Sequence, residues 1–524
     1  MVAVAMMFSA TSCVQDLNVT PIDPNITLPE DVLNSVEAYQ QLLAKCYGGL
    51  AVSASEGPDS SPDIDGIDGG YGQYMRALFH LQELPTDEAS VCWNDQTIKS
   101  FHGLSWTTSD VFVTAMFSRI FYQISLCNEF IRRAKVAPEE FNANGEMDYM
   151  IAQARALRAL SYYHAIDLFG SVPFATEENS VGATGPDQIS RYDLYLWLVD
   201  EIGGENGFRN DLRPASGTEY GRTSQEFATI LLAKIYLNAE VFTADDREGR
   251  PVISAWNECA TESKKIVDAY ALPDNWQWNF SADNNLCPEI IFAVQSDATY
   301  IQSYGSTNFV IKGSIVSGNP TWQAALGTND GWGGLVVTSQ FLDLFDETDL
   351  RYKFTDGSEF GEVAHTRVIE DNSLFSSGWC QMKFTNLKHD GSPADGQGSF
   401  PDTDYPIFRA ADAYLMLAEA QLRNGGIQAD GLQAFNAVRE RAGMNALSTV
   451  TLDDIIDERG RELYWENMRR QDLVRFGLLT SSTYIWDWKG GVAAGTSVDE
   501  RFNLYPIPAN EINANSKLVQ NPGY

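Results

Sequence analysis

The chain has 524 residues and carries 71 acidic against 36 basic side chains, a formal net charge of −35 at pH 7. A polyanion of this size repels phosphates, which argues against a nucleic acid as partner. Its 44% apolar content is typical of a folded globular protein. No apolar run reaches the ~18 residues that a transmembrane helix needs.

The first part of the chain has the pattern of a lipoprotein leader followed by a tether. A short apolar run leads to Ala10-Thr11-Ser12-Cys13, which resembles a lipobox in which Cys13 would carry the lipid. A signal peptide normally has a Lys or Arg ahead of its apolar run, and none is present here. The alternative is that Cys13 is a chance cysteine near the start of the chain. Residues 14–30 are polar and contain three prolines, which predicts an extended tether. We therefore predict a leader over 1–13, a tether over 14–30 and a single domain over 31–524.

Helical spacing and capping residues dominate residues 31–270. Thr107, Ser190 and Thr223 each stand three residues before an acidic residue, the pattern of a helix N-cap. A glycine and then a proline, Gly170 and Pro173, follow the strongest run and predict its end. The predicted helices cover about 32–47, 107–133, 148–168, 255–270 and two further runs that begin at 190 and 223.

These helices come in pairs, which predicts a mainly α, tetratricopeptide-like helical-repeat scaffold. Ala154 and Ala228 open comparable helices 74 residues apart (228 minus 154), close to twice the ~34-residue tetratricopeptide period. The match to the consensus of that repeat is poor. We predict helical repeats over about 31–270 and 405–442, interrupted by a large irregular insert over about 271–405. Glycine, asparagine and aromatic residues dominate the insert, which has only short strand-like runs such as Glu289 to Gln295.

The C-terminal part returns to helical spacing. Thr451 and Asp454 form a capping-box pattern ahead of a run in which acids and arginines alternate at offsets of three and four, such as Glu458 with Arg461. We interpret these charges as a solvated, paired helix face with a structural role. A docking surface for a partner is the alternative.

Three stretches together resemble the SusD/RagB family. The first is Arg155-Ala156-Leu157-Arg158-Ala159-Leu160-Ser161-Tyr162-Tyr163 with Asp167-Leu168-Phe169-Gly170-Ser171-Val172-Pro173. The second is the region 405–524, which closes on Leu504-Tyr505-Pro506-Ile507-Pro508. The third is Thr86-Asp87-Glu88-Ala89 before Trp93, similar to starch-type members.

That resemblance implies a specific location and set of partners. Members of this family are surface lipoproteins of Gram-negative bacteria that bind nutrients, usually glycans, beside a SusC-like TonB-dependent transporter. It therefore implies a lipid-anchored protein on the cell outer membrane, with a glycan ligand and no cofactor. It also implies four tetratricopeptide-like repeats, a binding face built largely by the insert, and a family-specific C-terminal region over 443–524.

The sequence lacks recognisable catalytic or metal-binding motifs. Its five histidines do not form a His-x-x-x-His pair, and a P-loop, a G-x-S-x-G elbow and a G-x-G-x-x-G turn are absent. We therefore predict no enzyme activity, no cofactor and no bound metal. A glycosidase stays an alternative, because its two carboxylates need only meet in space. A peptide-binding member of the same family and a helical-repeat scaffold for protein partners are further alternatives.

Aromatic residues in polar or glycine-rich segments are the main candidates for a glycan site. Sugar rings present apolar C–H faces that an exposed indole or phenol can cover, while amides and carboxylates bond the hydroxyls. The resemblance favours an arc of Trp93, Tyr300 and Trp322, although core packing is the alternative for each aromatic residue. The candidate glycan-binding residues are Trp93, Asn94, Tyr300, Tyr304, Trp322, Trp332, Asp65 and Asp68.

Two features are left open. The long loop from Gly57 to Gly72 contains Asp63, Asp65 and Asp68, which could be a flexible acidic loop, could bond sugar hydroxyls or, least favoured, could bind calcium. Seven cysteines lack any Cys-x-x-Cys spacing. Without Cys13 six remain, and their pairing cannot be read from the sequence.

Overall fold

The computed structural model describes residues 32–524 except 180–184, 217–218, 245–247 and 397. The predicted leader with Cys13 and the predicted tether lie outside the described residues. Within the part that is described, none of the helices combines the length and the apolar character that a membrane span requires.

The described residues fold into a mainly helical protein, which confirms the predicted fold class. The helices are α1 (Val36–Ala51), α2 (Tyr74–Gln82), α3 (Lys99–His102), α4 (Val111–Ala134), α5 (Glu146–Leu168), α6 (Arg191–Gly203), α7 (Gln225–Leu237), α8 (Ala239–Thr243), α9 (Trp256–Ala269), α10 (Ser306–Gly313), α11 (Pro320–Ala325), α12 (Ser339–Leu342), α13 (Ala410–Arg423), α14 (Ala429–Arg441), α15 (Leu452–Leu463), α16 (Arg469–Arg475) and α17 (Ala509–Ala514).

Capping chemistry sets several of these boundaries. The predicted box of Thr451 and Asp454 is present at the start of α15, with both side-chain-to-backbone hydrogen bonds formed. At the start of α7 the cap is Ser224 and not the predicted Thr223. Gly170 adopts φ +70° just beyond α5, the left-handed conformation that the predicted stop requires.

Neighbouring helices pack side by side to form the core. Helices α4 and α5 pack together, and α13 lies against both α9 and α14. Alanines allow this close approach, since Ala411 and Ala418 of α13 are completely buried. The tetratricopeptide-like arrangement of the repeats stays a prediction.

Short antiparallel strand pairs supplement the helices and bring distant loops together. The strands are β1 (Ser90–Val91), β2 (Val172–Pro173), β3 (Gln188–Ile189), β4 (Ile290–Val294), β5 (Leu335–Val336), β6 (Phe354–Thr355), β7 (Cys380–Gln381) and β8 (Tyr405–Arg409). Among the described residues they pair as β1–β5, β2–β3, β4–β8 and β6–β7. The pairing of β1 with β5 joins the segment before Trp93 to the segment after Trp332.

The charged residues of α15 are structural, but the prediction of a solvated face is wrong. Glu458, Arg459 and Glu462 are at most 1% exposed. Glu462 accepts from the guanidinium of Arg409 at 2.6 Å, in the interior between β8 and α15. Offsets of three and four residues place charges on one helix face, but they do not tell whether that face meets water or other charges. Since these carboxylates are buried, the docking-surface alternative fails here as well.

The cysteines of the described chain do not form disulfides. All six are free thiols and all are buried. Their role in the fold is therefore that of small apolar core residues.

Candidate functional site

Three of the predicted aromatic residues meet around a shallow depression of about 380 Å³. Trp93, Tyr304 and Trp332 are each half-buried, so part of every ring remains accessible. The full lining consists of Gly70, Tyr71, Arg76, Trp93, Asp95, Tyr304 and Trp332.

The two tryptophans are held together by the β1–β5 pairing. The backbone N–H of Cys92 donates to the carbonyl of Gly334 at 2.8 Å, which continues the strand pair. The indole Nε1 of Trp93 donates to the carbonyl of Gly333 at 3.2 Å. A Cβ on Gly334 would collide with the indole ring of Trp93, so only glycine at 334 leaves room for this orientation.

The loop that carries Trp332 is fixed to the C-terminal end of α10. The N–H groups of Trp332, Gly333 and Gly334 donate to the carbonyls of Lys312 at 2.7 Å, Ile315 at 2.7 Å and Gly313 at 2.8 Å, respectively. Carbonyls at the end of a helix lack partners within the helix, and this loop satisfies them. Trp332 is therefore placed by backbone hydrogen bonds.

Arg76, on α2, forms the floor of the depression. Its guanidinium lies 4.3 Å from the centre of the Tyr71 ring and 4.4 Å from that of Phe309, and it donates to the carbonyl of Gly70 at 2.7 Å. Nε is buried without a hydrogen-bond partner, and no carboxylate of the described residues lies within ion-pair distance of Arg76, although the charges of Asp95 and Asp68 act on it from farther away. Burial lowers its pKa to about 10, so the group stays charged at neutral pH.

Tyr300 and Tyr304, both candidates from the sequence, lie at different places. The ring of Tyr304 is 6.1 Å from that of Trp332 and 5.4 Å from that of Phe400, within the depression. Tyr300 is 88% exposed and lies at the edge of a separate cavity of about 450 Å³. Of the predicted arc of Trp93, Tyr300 and Trp322, Tyr300 therefore lies outside the depression that Trp93 lines.

The arc is wrong for Trp322, which is completely buried. Its ring stacks on Phe360 at 5.2 Å and on Phe375 at 6.3 Å. The physical reason is local: Asn319 caps α11 by accepting from the N–H of Trp322 at 3.0 Å, and Pro320 begins the helix. The segment is therefore a capped helix that presents Trp322 to the core, where no sugar can stack on it.

The remaining predicted polar residues do not line the depression. Asn94 is exposed beside Trp93, and its neighbour Asp95 takes the lining position. Asp68 is exposed and accepts from the N–H of Gly70 at 2.8 Å, while Asp65 is exposed on the same loop. The long loop contributes to the site through its last residues.

Sequence reasoning missed three side chains of the depression: Tyr71, Arg76 and Asp95. The sequence contained an indication for Arg76, because it is the one Lys or Arg in the largely apolar α2, whose nine residues are all buried. A buried arginine without an acid at helical spacing indicates a partner outside the helix. The indications for the other two residues were weaker. Tyr71 lies at the end of the long loop, and Asp95 follows Asn94 in the sequence.

The comparisons with known proteins agree with this architecture. The sequence model of the SusD family matches residues 364–524. The chain is 33% identical to the starch-binding protein SusD of Bacteroides thetaiotaomicron, over 98% of this chain and 96% of that protein. It is 24% identical to a SusD-like protein of Bacteroides ovatus, over 76% of this chain and 73% of that protein.

Solved structures share the fold at lower sequence identity. Surface glycan-binding protein A from Bacteroides thetaiotaomicron, in complex with laminarihexaose, superimposes with a TM-score of 0.71 at 19% identity, covering 93% of this chain and 99% of that one. The corresponding protein from Bacteroides uniformis has a TM-score of 0.71 at 22% identity, with the same coverage. Together with the near full-length match at 33% identity, these findings show that the chain belongs to the SusD family.

Proposed function

We propose that this protein captures a glycan in the depression lined by Trp93, Tyr304 and Trp332. The observation that carries the proposal is the convergence of three partly accessible aromatic rings around a buried arginine that forms no salt bridge with the described residues. The starch-binding relative and the relative solved with laminarihexaose support the same ligand class.

The rings supply the apolar part of the recognition. Each presents a flat face against which the C–H face of a sugar can stack. The rings of Tyr304 and Trp332 are inclined by 60°, so they face the depression from different directions. A ligand with a curved outline fits such an arrangement better than a flat one.

Arg76 and Asp95 supply the polar part. Arg76 lines the floor with its charged guanidinium, and the Asp95 carboxylate offers acceptors at the edge. Sugar hydroxyls both donate and accept, so they satisfy the two groups together.

Calorimetric titration with starch and laminarin tests the proposal. We expect Trp93→Ala and Trp332→Ala to lose at least ~2 kcal/mol of binding free energy, or about thirtyfold in affinity. Trp278→Ala is the matched control, because that half-buried tryptophan stacks on His389 away from the depression. Variants that bind as tightly as the parent would contradict the proposal.

The proposal also covers attachment to the outer membrane and the partner that receives the glycan. We infer that Cys13 carries a lipid, that residues 14–30 tether the body to the outer membrane, and that a SusC-like TonB-dependent transporter receives the glycan. Cys13→Ala, expressed from the full native start, should move the protein to the soluble fraction. Mild detergent extraction should bring down a large β-barrel protein, and its absence would count against the transporter.

Binding without turnover is the last part of the proposal. The relatives are named as binding proteins, and the sequence lacks a catalytic motif. Prolonged incubation with a bound polysaccharide should therefore release no reducing ends. Reproducible release, abolished by one carboxylate substitution, would instead establish a glycosidase.

A further inference from the structure

The cavity beside Tyr300 is larger than the depression and is not used by the proposed function. It encloses about 450 Å³ between α1, the segment 220–222 and β4. This volume is within the range of small-molecule sites in proteins. Its floor is apolar and includes Leu43, Met150 and Phe292.

The charge of this cavity differs from that of the protein as a whole. The chain has a net charge of −35, yet no carboxylate is among the described residues that line the cavity. Arg222 is the one Lys or Arg in this lining, and the amides of Gln40, Gln153 and Gln295 also face it. Neutral amides and one guanidinium over an apolar floor suit a ligand with C–H faces and hydroxyls.

Tyr300 is rigidly placed at the rim. The carboxylate of Asp297 accepts from the N–H groups of Thr299 at 2.8 Å and of Tyr300 at 2.7 Å. The N–H of Ile301 donates back to the carbonyl of Asp297 at 3.1 Å. The most exposed of the large apolar side chains in the described part of the chain therefore stands on a fixed turn.

The same segment connects the two places. Tyr300 lines the cavity and Tyr304 lines the depression. Four residues span at most ~14 Å even when fully extended, so the two tyrosine backbones lie within that distance. The two places are therefore close enough for one glycan chain to contact both tyrosines.

We propose that the cavity is a second subsite for the same glycan chain, entered past Tyr300 by sugars beyond those held at Trp93 and Trp332. This inference rests on the proposed function. It adds a length requirement, because short oligosaccharides fill the first site alone, while polymers fill both.

Gly48 provides a test that fills the cavity without disturbing the fold. It lines the cavity from α1, and an added Cβ there meets no atom within 4 Å. Replacing a helical glycine also favours the helix. Gly48→Trp therefore occupies the cavity, and Gly48→Ala is the matched control that leaves it open.

Affinities are measured for starch and laminarin and for maltotriose and laminaritriose. We expect Gly48→Trp and Tyr300→Ala to weaken binding of the preferred polymer about tenfold, with unchanged affinity for its trisaccharide. Gly48→Ala should match the parent on both. Melting curves confirm that each variant is folded.

The outcomes separate the two proposals. If Gly48→Trp binds the polymer as tightly as the parent while Trp93→Ala loses binding, the second subsite is overturned and the proposed function stands. A loss of affinity for mixed tryptic peptides, with unchanged polymer affinity, assigns the cavity to peptides and also overturns it. A parent that binds neither polymer defeats the proposed function, and the second subsite with it.

Discussion

Arg409 and Arg76 are both buried, at 0% and 5% exposure, yet their surroundings are opposite. Arg409 lies among three carboxylates, those of Glu289, Glu462 and Glu466, at 2.6 to 2.7 Å. Burial works against its charge, but these carboxylates raise its pKa well above the usual range. Arg76 has aromatic rings and backbone carbonyls instead, and burial lowers its pKa.

The difference separates a structural charge from a charge that is free for a ligand. At β8 and α15 the buried charges of Arg409, Glu458 and Glu462 are paired within the protein itself, so these residues hold elements of the C-terminal region together. At the depression no carboxylate of the described residues forms a salt bridge with Arg76, which lines the space where a ligand would lie. Substitutions at the two arginines should therefore affect different properties.

Arg409→Met should have the largest effect. Three buried carboxylates would each lose one cation, while Arg441 still pairs with Glu289 and Glu462, and Lys383 with Glu466. Removing one partner of a buried ion pair typically costs ~3–5 kcal/mol of unfolding free energy. Chemical denaturation measures this loss. Arg132→Met is the control, because Arg132 pairs with Glu129 at the surface, where removal of a pair costs at most ~1 kcal/mol. Equal losses in both variants would contradict the structural role of Arg409.

Trp322→Ala should also destabilise the protein, by ~3–5 kcal/mol, because a buried indole leaves a cavity. At a temperature where the variant is folded, its glycan affinity should stay close to that of the parent. Denaturation and calorimetric titration on the same sample provide both values. A stable variant with weak binding would restore Trp322 to the binding surface.

Arg76→Met should show the reverse pattern. It removes an unpaired buried charge, so stability should change little, while glycan affinity should fall about tenfold or more with the loss of a charged donor worth ~1.5–3 kcal/mol. Arg76→Lys keeps the charge but lacks the fork of donors, and should recover part of the affinity. A large drop in stability with unchanged affinity would place Arg76 in the same class as Arg409.

Gly334→Ala should produce a smaller loss. The new Cβ would force the Trp93 indole out of its present orientation, and we expect about a tenfold lower affinity. The fluorescence of the protein should change at the same time, because Trp93 becomes more exposed. Gly425→Ala is the control for backbone strain without a side-chain collision, since that glycine has φ +101° and an added Cβ would meet no atom within 4 Å. Gly425→Ala should reduce stability and leave affinity unchanged.

Glu88 should give a pH dependence of stability. Burial raises the pKa of Glu88 to about 8, and Arg469 opposes this only in part. A pKa above that of the unfolded chain means that its contribution is complete below about pH 4.5 and is lost as the pH rises through about 8. Denaturation midpoints at pH 5.5 and 8.5 should differ more for the parent than for Glu88→Gln. Parallel pH profiles would show that Glu88 does not titrate in this range.

The helical framework could be predicted from sequence because its signals are local. Caps such as Thr451 with Asp454, the glycine stop at Gly170 and the spacing of alanines in α13 each depend on residues a few positions apart. Burial of the α15 charges was not predictable in this way. Their partners, Arg351 and Arg409 among them, come from segments far away in the chain.

The site was predicted only in part for a related reason. Trp93, Tyr304 and Trp332 were among the candidates, but their convergence depends on the β1–β5 pairing, which joins residues some 240 positions apart. Trp322 looked similar because a glycine, an asparagine and a proline precede it, yet here these residues cap a helix. A turn-rich composition therefore cannot distinguish a loop that exposes an aromatic ring from a cap that buries it.

The attachment of residues 332–334 to the end of α10 determines which partner loses freedom when a ligand binds. Because three backbone hydrogen bonds already fix this loop, the protein has little conformational entropy left to lose there. The unfavourable entropy of association then falls mainly on the ligand. Chains whose own linkages hold them in a matching curve lose less than flexible chains of the same sugars, so the protein would select its ligands by their stiffness and shape as well as by their chemical groups.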